Sequence, residues 1–177
     1  MGDLLSDVET LRKRARENLE LGPITDAYGA DRERVISVLN DVLATEIVCV
    51  LRYKRHYYTA TGISAGPVAE EFLQHANEEQ QHADMVAARI VQLGGEPDFS
   101  PQTLTTRSHS EYDASTDLLA MVREDLVAER VAIASYQEII RWLGNDDPTT
   151  RRVIENILSV EEEHAEDLLS ILQQMDA

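Results

Sequence analysis

Two stretches of this chain carry the same spaced set of residues, and the set is one that an apolar core does not tolerate unaided. Glu46, Tyr53, Glu79 and His82 are separated by 7, 26 and 3 positions; Glu129, Tyr136, Glu161 and His164 are separated by 7, 25 and 3. The glutamates and histidines among them interrupt stripes of apolar residues spaced alternately by three and four. That spacing is the signature of a helix with one face turned to a core. The first stripe runs through Val35, Leu39, Val42, Glu46, Cys49 and Tyr53, and the second through Phe72, His75, Glu79, His82, Val86 and Leu93. The third is Leu118, Val122, Leu126, Glu129, Ala132, Tyr136, Ile140 and Leu143, and the fourth Ile154, Ile157, Glu161, His164, Leu168 and Ile171. No alternation of period two persists anywhere. The stripes predict an all-α four-helix bundle.

Glycine and proline mark the ends of these segments: Gly22-Pro23, Gly62 to Pro67, Gly94-Gly95 with Pro97 and Pro101, and Gly144 to Pro148. Glycine past a helix end and proline at a helix start are stop and start signals, and Asp147-Pro148 reads as an N-cap followed by a first helical residue. Four long helices are therefore expected over about 31–61, 67–93, 114–143 and 148–175, preceded by a short helix over about 3–20. The chain divides into an N-terminal helical extension, 1–30, and the bundle, 31–177. The first and last connections within the bundle are short, so each joins antiparallel neighbours. Between helices 2 and 3 lie about 20 residues, Gly94 to Asp113. Extended, they reach ~65 Å, more than the ~42 Å length of a 28-residue helix. One long crossover and two hairpins follow, rather than a simple up-down-up-down chain.

The six breaks in the stripes carry the chemistry. Glu46, Glu79, Glu129 and Glu161 would place four carboxylates in one core, where each ionised group costs several kcal/mol unless compensated. Two divalent cations supply four positive charges against those four negative ones. His82 and His164 complete the coordination, since residues three apart share a helix face and each Glu-x-x-His pair can grip one metal. Glu78 also lies near that face, four before His82, but the matching position in helix 4 is Val160, so Glu79 is taken as the ligand and Glu78 as bordering the site. Tyr53 and Tyr136 are read as core aromatics whose hydroxyls orient metal-bound carboxylates. His75, one turn before Glu79, is read as a satisfied core or inner-surface histidine ahead of an accessory metal site, Cys49 as a small buried hydrophobe, and His56 and His109 acquire no partner from the pattern. No His-Glu-x-x-His occurs, which excludes zincin-type proteolysis.

Composition narrows the partners. Sixteen Lys and Arg against 33 Asp and Glu give a formal net charge of −17. Phosphate backbones are recognised by clustered Lys and Arg, so direct DNA binding is not expected; cations suit such a chain. Arg12, Lys13, Arg14 and Arg16 resemble a basic arm, but residues 1–22 also hold five acidic side chains, and Leu4, Leu5, Val8, Leu11, Ala15 and Leu19 form an apolar face. That face is expected to dock on the bundle or on a neighbouring subunit. A single cysteine excludes a disulfide framework and a rubredoxin-type four-cysteine module. The longest apolar run, Ile47 to Leu51, is too short to cross a bilayer. No secretory pattern opens the chain, so a cytoplasmic location is expected.

The segment Asn77 to Asp84, Asn-Glu-Glu-Gln-Gln-His-Ala-Asp, continuing to Leu93-Gly94-Gly95-Glu96-Pro97, resembles the second helix and following turn of bacterioferritin. Glu161-Glu162-Glu163-His164 resembles its fourth helix, and Asn40 to Tyr53 its first; the resemblance covers about residues 31–175. It implies a ferritin-like bundle in a hollow cage that oxidises Fe(II) with O₂ or H₂O₂ and stores the ferric mineral, with two iron ions per subunit. By that pattern Glu46 and His82 bind one iron, Glu129 and His164 the other, and Glu79 and Glu161 bridge. Tyr53 matches a tyrosine beside the bacterioferritin iron site. Bacterioferritins hold haem on a methionine directly after the bridging glutamate of helix 2; that position is Gln80 here, so haem is not expected. Only 13 residues follow His164, leaving little room for the fifth helix of 24-subunit cages. The chain is thus similar to Dps-like dodecamers that keep a bacterioferritin-type site within the subunit, and twelve subunits are favoured over twenty-four. Two other readings use the same fold or ligands: a Dps-type DNA-protection protein, and a dimanganese catalase or small di-iron oxidase.

Overall fold

Local capping sets where several of the helices begin. In a computed structural model, which describes residues 6–63 and 65–175, six α-helices follow one another: α1 Val8–Arg14, α2 Arg32–Thr59, α3 Ala65–Gln92, α4 Leu104–Arg107, α5 Leu118–Leu143 and α6 Pro148–Met175. Asp31 caps α2 by accepting from the Arg34 amide, and Asp117 caps α5 by accepting from that of Ala120. Asp147 accepts from the Thr150 amide at 2.9 Å and so starts α6, as the Asp-Pro pair predicts. Helix α3 begins two residues before Pro67, which sits in the first turn, where no intrahelical N–H is needed. It ends in a Schellman closure: Gly95 N–H donates to Ile90 O and Gly94 N–H to Val91 O, with Gly94 at φ 76°. Among the described residues there is no strand.

The α2–α3 and α5–α6 hairpins pack side by side with one long crossover between them. It runs along α2 from one end of the bundle towards the other. Asn40 donates to Glu96 O and accepts from the Asp98 amide, the His109 amide donates to Thr45 Oγ1, and Arg52 and Arg55 donate to the carbonyls of Glu111 and Ser115. Two features differ from expectation. The crossover contains a helical turn, α4, whose Leu104 is buried against Ala44 and Val48. Helix α5 starts at Leu118 rather than near 114, because Asp113 accepts from the Ser115 amide and holds that stretch as a turn ahead of the Asp117 cap.

Two apolar clusters fill the bundle. The larger includes Leu39, Val86, Ile90, Tyr136, Leu143, Ile154 and Ile157; the smaller includes Tyr53, Phe72, Met121, Val122 and Leu168. The polar layer lies between them.

The N-terminal helix is shorter than expected. It covers Val8–Arg14 and is followed by a 3₁₀ turn at Leu19–Leu21, entered through Asn18 in the left-handed region at φ 52°. Docking of its apolar face on the bundle of the same chain is not found: Val8 is 58%, Leu11 46% and Leu19 72% exposed, while Leu4 and Leu5 lie outside the described residues. Seven residues of helix rich in Arg and Lys bury too little apolar surface to hold themselves down. Among the described residues the chain meets the bundle farther on, where Ile24 packs against the core, Tyr28 donates to Asp147 and the Gly29 amide donates to Asp146 O. No helix of the described residues is long and apolar enough to cross a membrane.

Candidate metal centre

All six stripe-breaking residues point into one layer at mid-bundle, and none is more than 3% exposed. Glu46 comes from α2, Glu79 and His82 from α3, Glu129 from α5, and Glu161 and His164 from α6. His82 Nδ1 lies 3.1 Å from Glu161 Oε1, 3.3 Å from Glu79 Oε2 and 3.4 Å from Glu46 Oε2. His164 Nδ1 lies 3.4 Å from Glu161 Oε2, 3.5 Å from Glu79 Oε1 and 3.8 Å from Glu129 Oε1. Glu79 and Glu161 therefore each aim one oxygen at one histidine and the other oxygen at its counterpart. The ligand atoms fall into two overlapping groups, Glu46-Glu79-His82-Glu161 and Glu79-Glu129-Glu161-His164, each within 4.8 Å.

The surrounding hydrogen bonds cross between the two halves of the repeat. Tyr53, from the first half, donates to Glu129 in the second; Tyr136, from the second, donates to Glu46 in the first. Both hydroxyls are fully buried with their rings, as befits groups that fix a carboxylate. Glu78 borders the layer: its Oε2 is 2.8 Å from His164 Nε2, so Nε2–H is held outward and Nδ1 faces the carboxylates.

Without cations the layer is unbalanced. Glu46 Oε2, Glu79 Oε1, both oxygens of Glu161 and His164 Nδ1 are buried with no hydrogen-bond partner. Protons fill the deficit. Burial and the neighbouring Glu79 push Glu46 up to about 8, and burial with Glu161 and Glu79 pushes Glu129 well up. Burial opposes charge on the histidines as well, but the carboxylate oxygens facing each Nδ1 favour the protonated ring, raising His164 to about 11 and His82 higher still. Burial also works against charge on Glu79 and Glu161, yet the two imidazoles facing them, with the neighbouring carboxyls of Glu46 and Glu129 respectively, hold their carboxyls low. Orphaned oxygens and an unpartnered imidazole nitrogen converging on two adjacent points are what a pair of divalent cations would satisfy, so the donor set fits such a pair.

A ferritin-like domain pattern matches residues 36–177, which is most of the chain. The chain belongs to the ferritin-like family. Within it, the chain is 27% identical over 134 residues to a bacterioferritin of Desulfovibrio desulfuricans, covering 75% of this chain and 71% of that one. It is 30% identical over 132 residues to a nutrient stress-induced DNA-binding protein of Synechococcus sp., covering 72% and 74%. Among solved ferritin-like structures, a dodecameric thioferritin of Bacteroides fragilis, a bacterioferritin-related protein, superposes with a TM-score of 0.80 at 31% identity, covering 84% of this chain and 89% of that one.

One buried polar cluster escaped the stripe pattern. His56, left without a partner by the sequence, has Nδ1 2.8 Å from Asp125 Oδ2 and Nε2 3.3 Å from Asp113, while Arg52 Nε lies 3.0 Å from Asp125 Oδ1. The cluster ties α2, α5 and the crossover together beside Tyr53. Its only trace in the sequence is spacing: Arg52 and His56 are four apart, and Asp125 is four before Glu129.

Proposed function

We propose that this protein is a ferroxidase that takes up Fe(II) at an intrasubunit pair of sites, oxidises it with O₂ or H₂O₂, and passes ferric iron to a store inside a hollow homo-oligomer. The observation that carries the reading is the disposition of Glu79 and Glu161, each offering one oxygen to each histidine-bearing half of a buried layer. Two irons held there supply two electrons together, and hard carboxylate donors favour the ferric state. Glu46 with His82 and Glu129 with His164 would hold one iron each, with Glu79 and Glu161 shared. Tyr136 and Tyr53 fix the unshared carboxylates by donating to Glu46 and Glu129. The apolar clusters on either side keep bulk water off the layer.

Kinship with bacterioferritin and with the dodecameric B. fragilis protein supports a cage, with twelve subunits favoured, in which the apolar face of α1 finds a neighbouring copy. Resident haem has no place in this reading, and the cytoplasm is its expected setting.

Anaerobic loading with Fe(II) followed by oxidant is expected to show two rapidly oxidised irons per chain, and light scattering a mass near twelve times 19.9 kDa. Glu79→Ala is expected to abolish the fast phase; an unchanged phase in that variant overturns the reading. The Dps-type alternative, favoured by the kinship with a DNA-binding protein, requires retention of duplex in a gel shift. Manganese in the natively purified protein, with O₂ evolved from peroxide, would instead identify a catalase.

A further inference from the structure

The two halves of the bundle repeat with an offset of 82 residues between α3 and α6, so each residue around the metal layer has a counterpart. The ligands match: Glu79 with Glu161, His82 with His164. One flank does not. Glu71, His75 and Glu78 of α3 correspond to Val153, Ile157 and Val160, and Asp167 of α6 corresponds to Met85. Where one side of the layer carries apolar side chains, the other carries carboxylates and an imidazole, two of which, Glu71 and Glu78, also line a surface depression with Glu70, Gln74 and Asn77.

We propose that Glu71, His75 and Asp167 form a third divalent-cation site on this polar flank, next to the pair. His75 is fully buried and stacks on His164 with ring centroids 3.9 Å apart. Its Nδ1 lies 3.3 Å from the Tyr53 hydroxyl. With cations on the pair, Glu129 is an ionised acceptor that takes the Tyr53 O–H; Tyr53 Oη is then left to accept Nδ1–H from His75. That fixes the tautomer and makes Nε2 a lone pair. Nε2 faces Glu71 Oε1 at 3.3 Å and Asp167 Oδ2 at 4.0 Å, is buried, and makes no hydrogen bond. Three acceptors thus converge, their ligand atoms within 4.8 Å of one another. One imidazole and two carboxylates suit a first-row divalent ion, and Glu71 and Asp167, with side chains 29% and 53% exposed, leave the site reachable from water. At the matching place Ile157 offers no donor, so the third site occurs on one side only.

The tautomer argument rests on the dimetal reading, and the test separates the two. Crystals of the full-length protein equilibrated with Zn(II) are analysed by anomalous diffraction, alongside His75→Ile, which installs the residue found at the matching position, and Asp167→Asn at the exposed edge. Three peaks per chain are expected in the parent, the third about 2.1 Å from His75 Nε2. Both variants are expected to lose that peak and keep the two between Glu79 and Glu161. Two peaks in the parent, or a third that survives His75→Ile, overturns the proposal and leaves the pair intact. Absence of the two central peaks overturns the pair itself.

Discussion

At the scale of single residues, the metal layer is a balance between protons and cations. In the metal-free chain Glu46, at about 8, and the raised His82 and His164 hold protons at pH 7, and Glu129 is shifted in the same direction, while Glu79 and Glu161 are held low. The two divalent ions of the proposed function would have to displace those protons, because only the unprotonated forms ligate. Filling the pair at pH 7 is therefore expected to release about three protons or more. Affinity should climb as pH rises towards 8 and fall as it drops. Calorimetric titration in buffers of different ionisation enthalpy measures the count; release of one proton or none would contradict the scheme. Tyr136→Phe removes the donor to Glu46 while keeping the buried ring. It is expected to leave folding intact and to weaken metal binding by about tenfold, the usual penalty for losing a group that orients a ligand. The six members of the layer were legible in the sequence because each contradicts an otherwise apolar stripe. His75 and Glu78 were less so, since a polar residue at a stripe's edge reads equally as solvated. The cluster of Arg52, His56, Asp113 and Asp125 was hidden because its members come from three separate segments, and no single helical pattern brings them together.

At the scale of elements, helix ends rather than interiors carry the specific interactions. Asp147 starts α6 and, 1% exposed, also receives Arg89 through both oxygens, the Thr150 hydroxyl and the Tyr28 hydroxyl. Asp147→Ala removes a cap and strands a buried guanidinium, and is expected to cost about 3 kcal/mol or more, measured by urea denaturation of the metal-free protein. Gly94→Ala, at the left-handed position that closes α3, should cost about 1 kcal/mol, because a side chain there meets its own backbone. The same local chemistry explains which boundaries could be read in advance. Asp147-Pro148 and Gly94-Gly95 announce themselves by residue type. The start of α5 does not, because Asp113 and Asp117 both offer a cap and only packing of the crossover against α2 selects the later one. Helix α1 ends short of its apolar period for a related reason: the period continues past Ala15, but among the described residues nothing receives it.

At the scale of the whole molecule, charge decides between two uses of one fold. The ferritin-like family includes relatives named for binding or protecting DNA, so architecture alone does not choose. A net charge of −17 repels a phosphate backbone, and assembly into an oligomer multiplies the repulsion. The basic cluster Arg12, Lys13, Arg14 and Arg16 is the exception, sits on the exposed α1 segment and is the handle that segment offers to a strand. Asp7, Glu9 and Glu17 accompany it within the same segment, and the field beyond a Debye length of about 10 Å at 0.1 M salt is that of the acidic bundle. Binding through released counterions grows steeply as salt falls, so a genuine DNA protein would show itself most clearly at low ionic strength. A gel shift with linear duplex at about 20 mM and about 150 mM salt is therefore expected to give no retarded species at either. A shift at low salt that disappears when Arg12, Lys13 and Arg14 are replaced by Gln would establish the basic cluster as a binding arm and make DNA protection the better account.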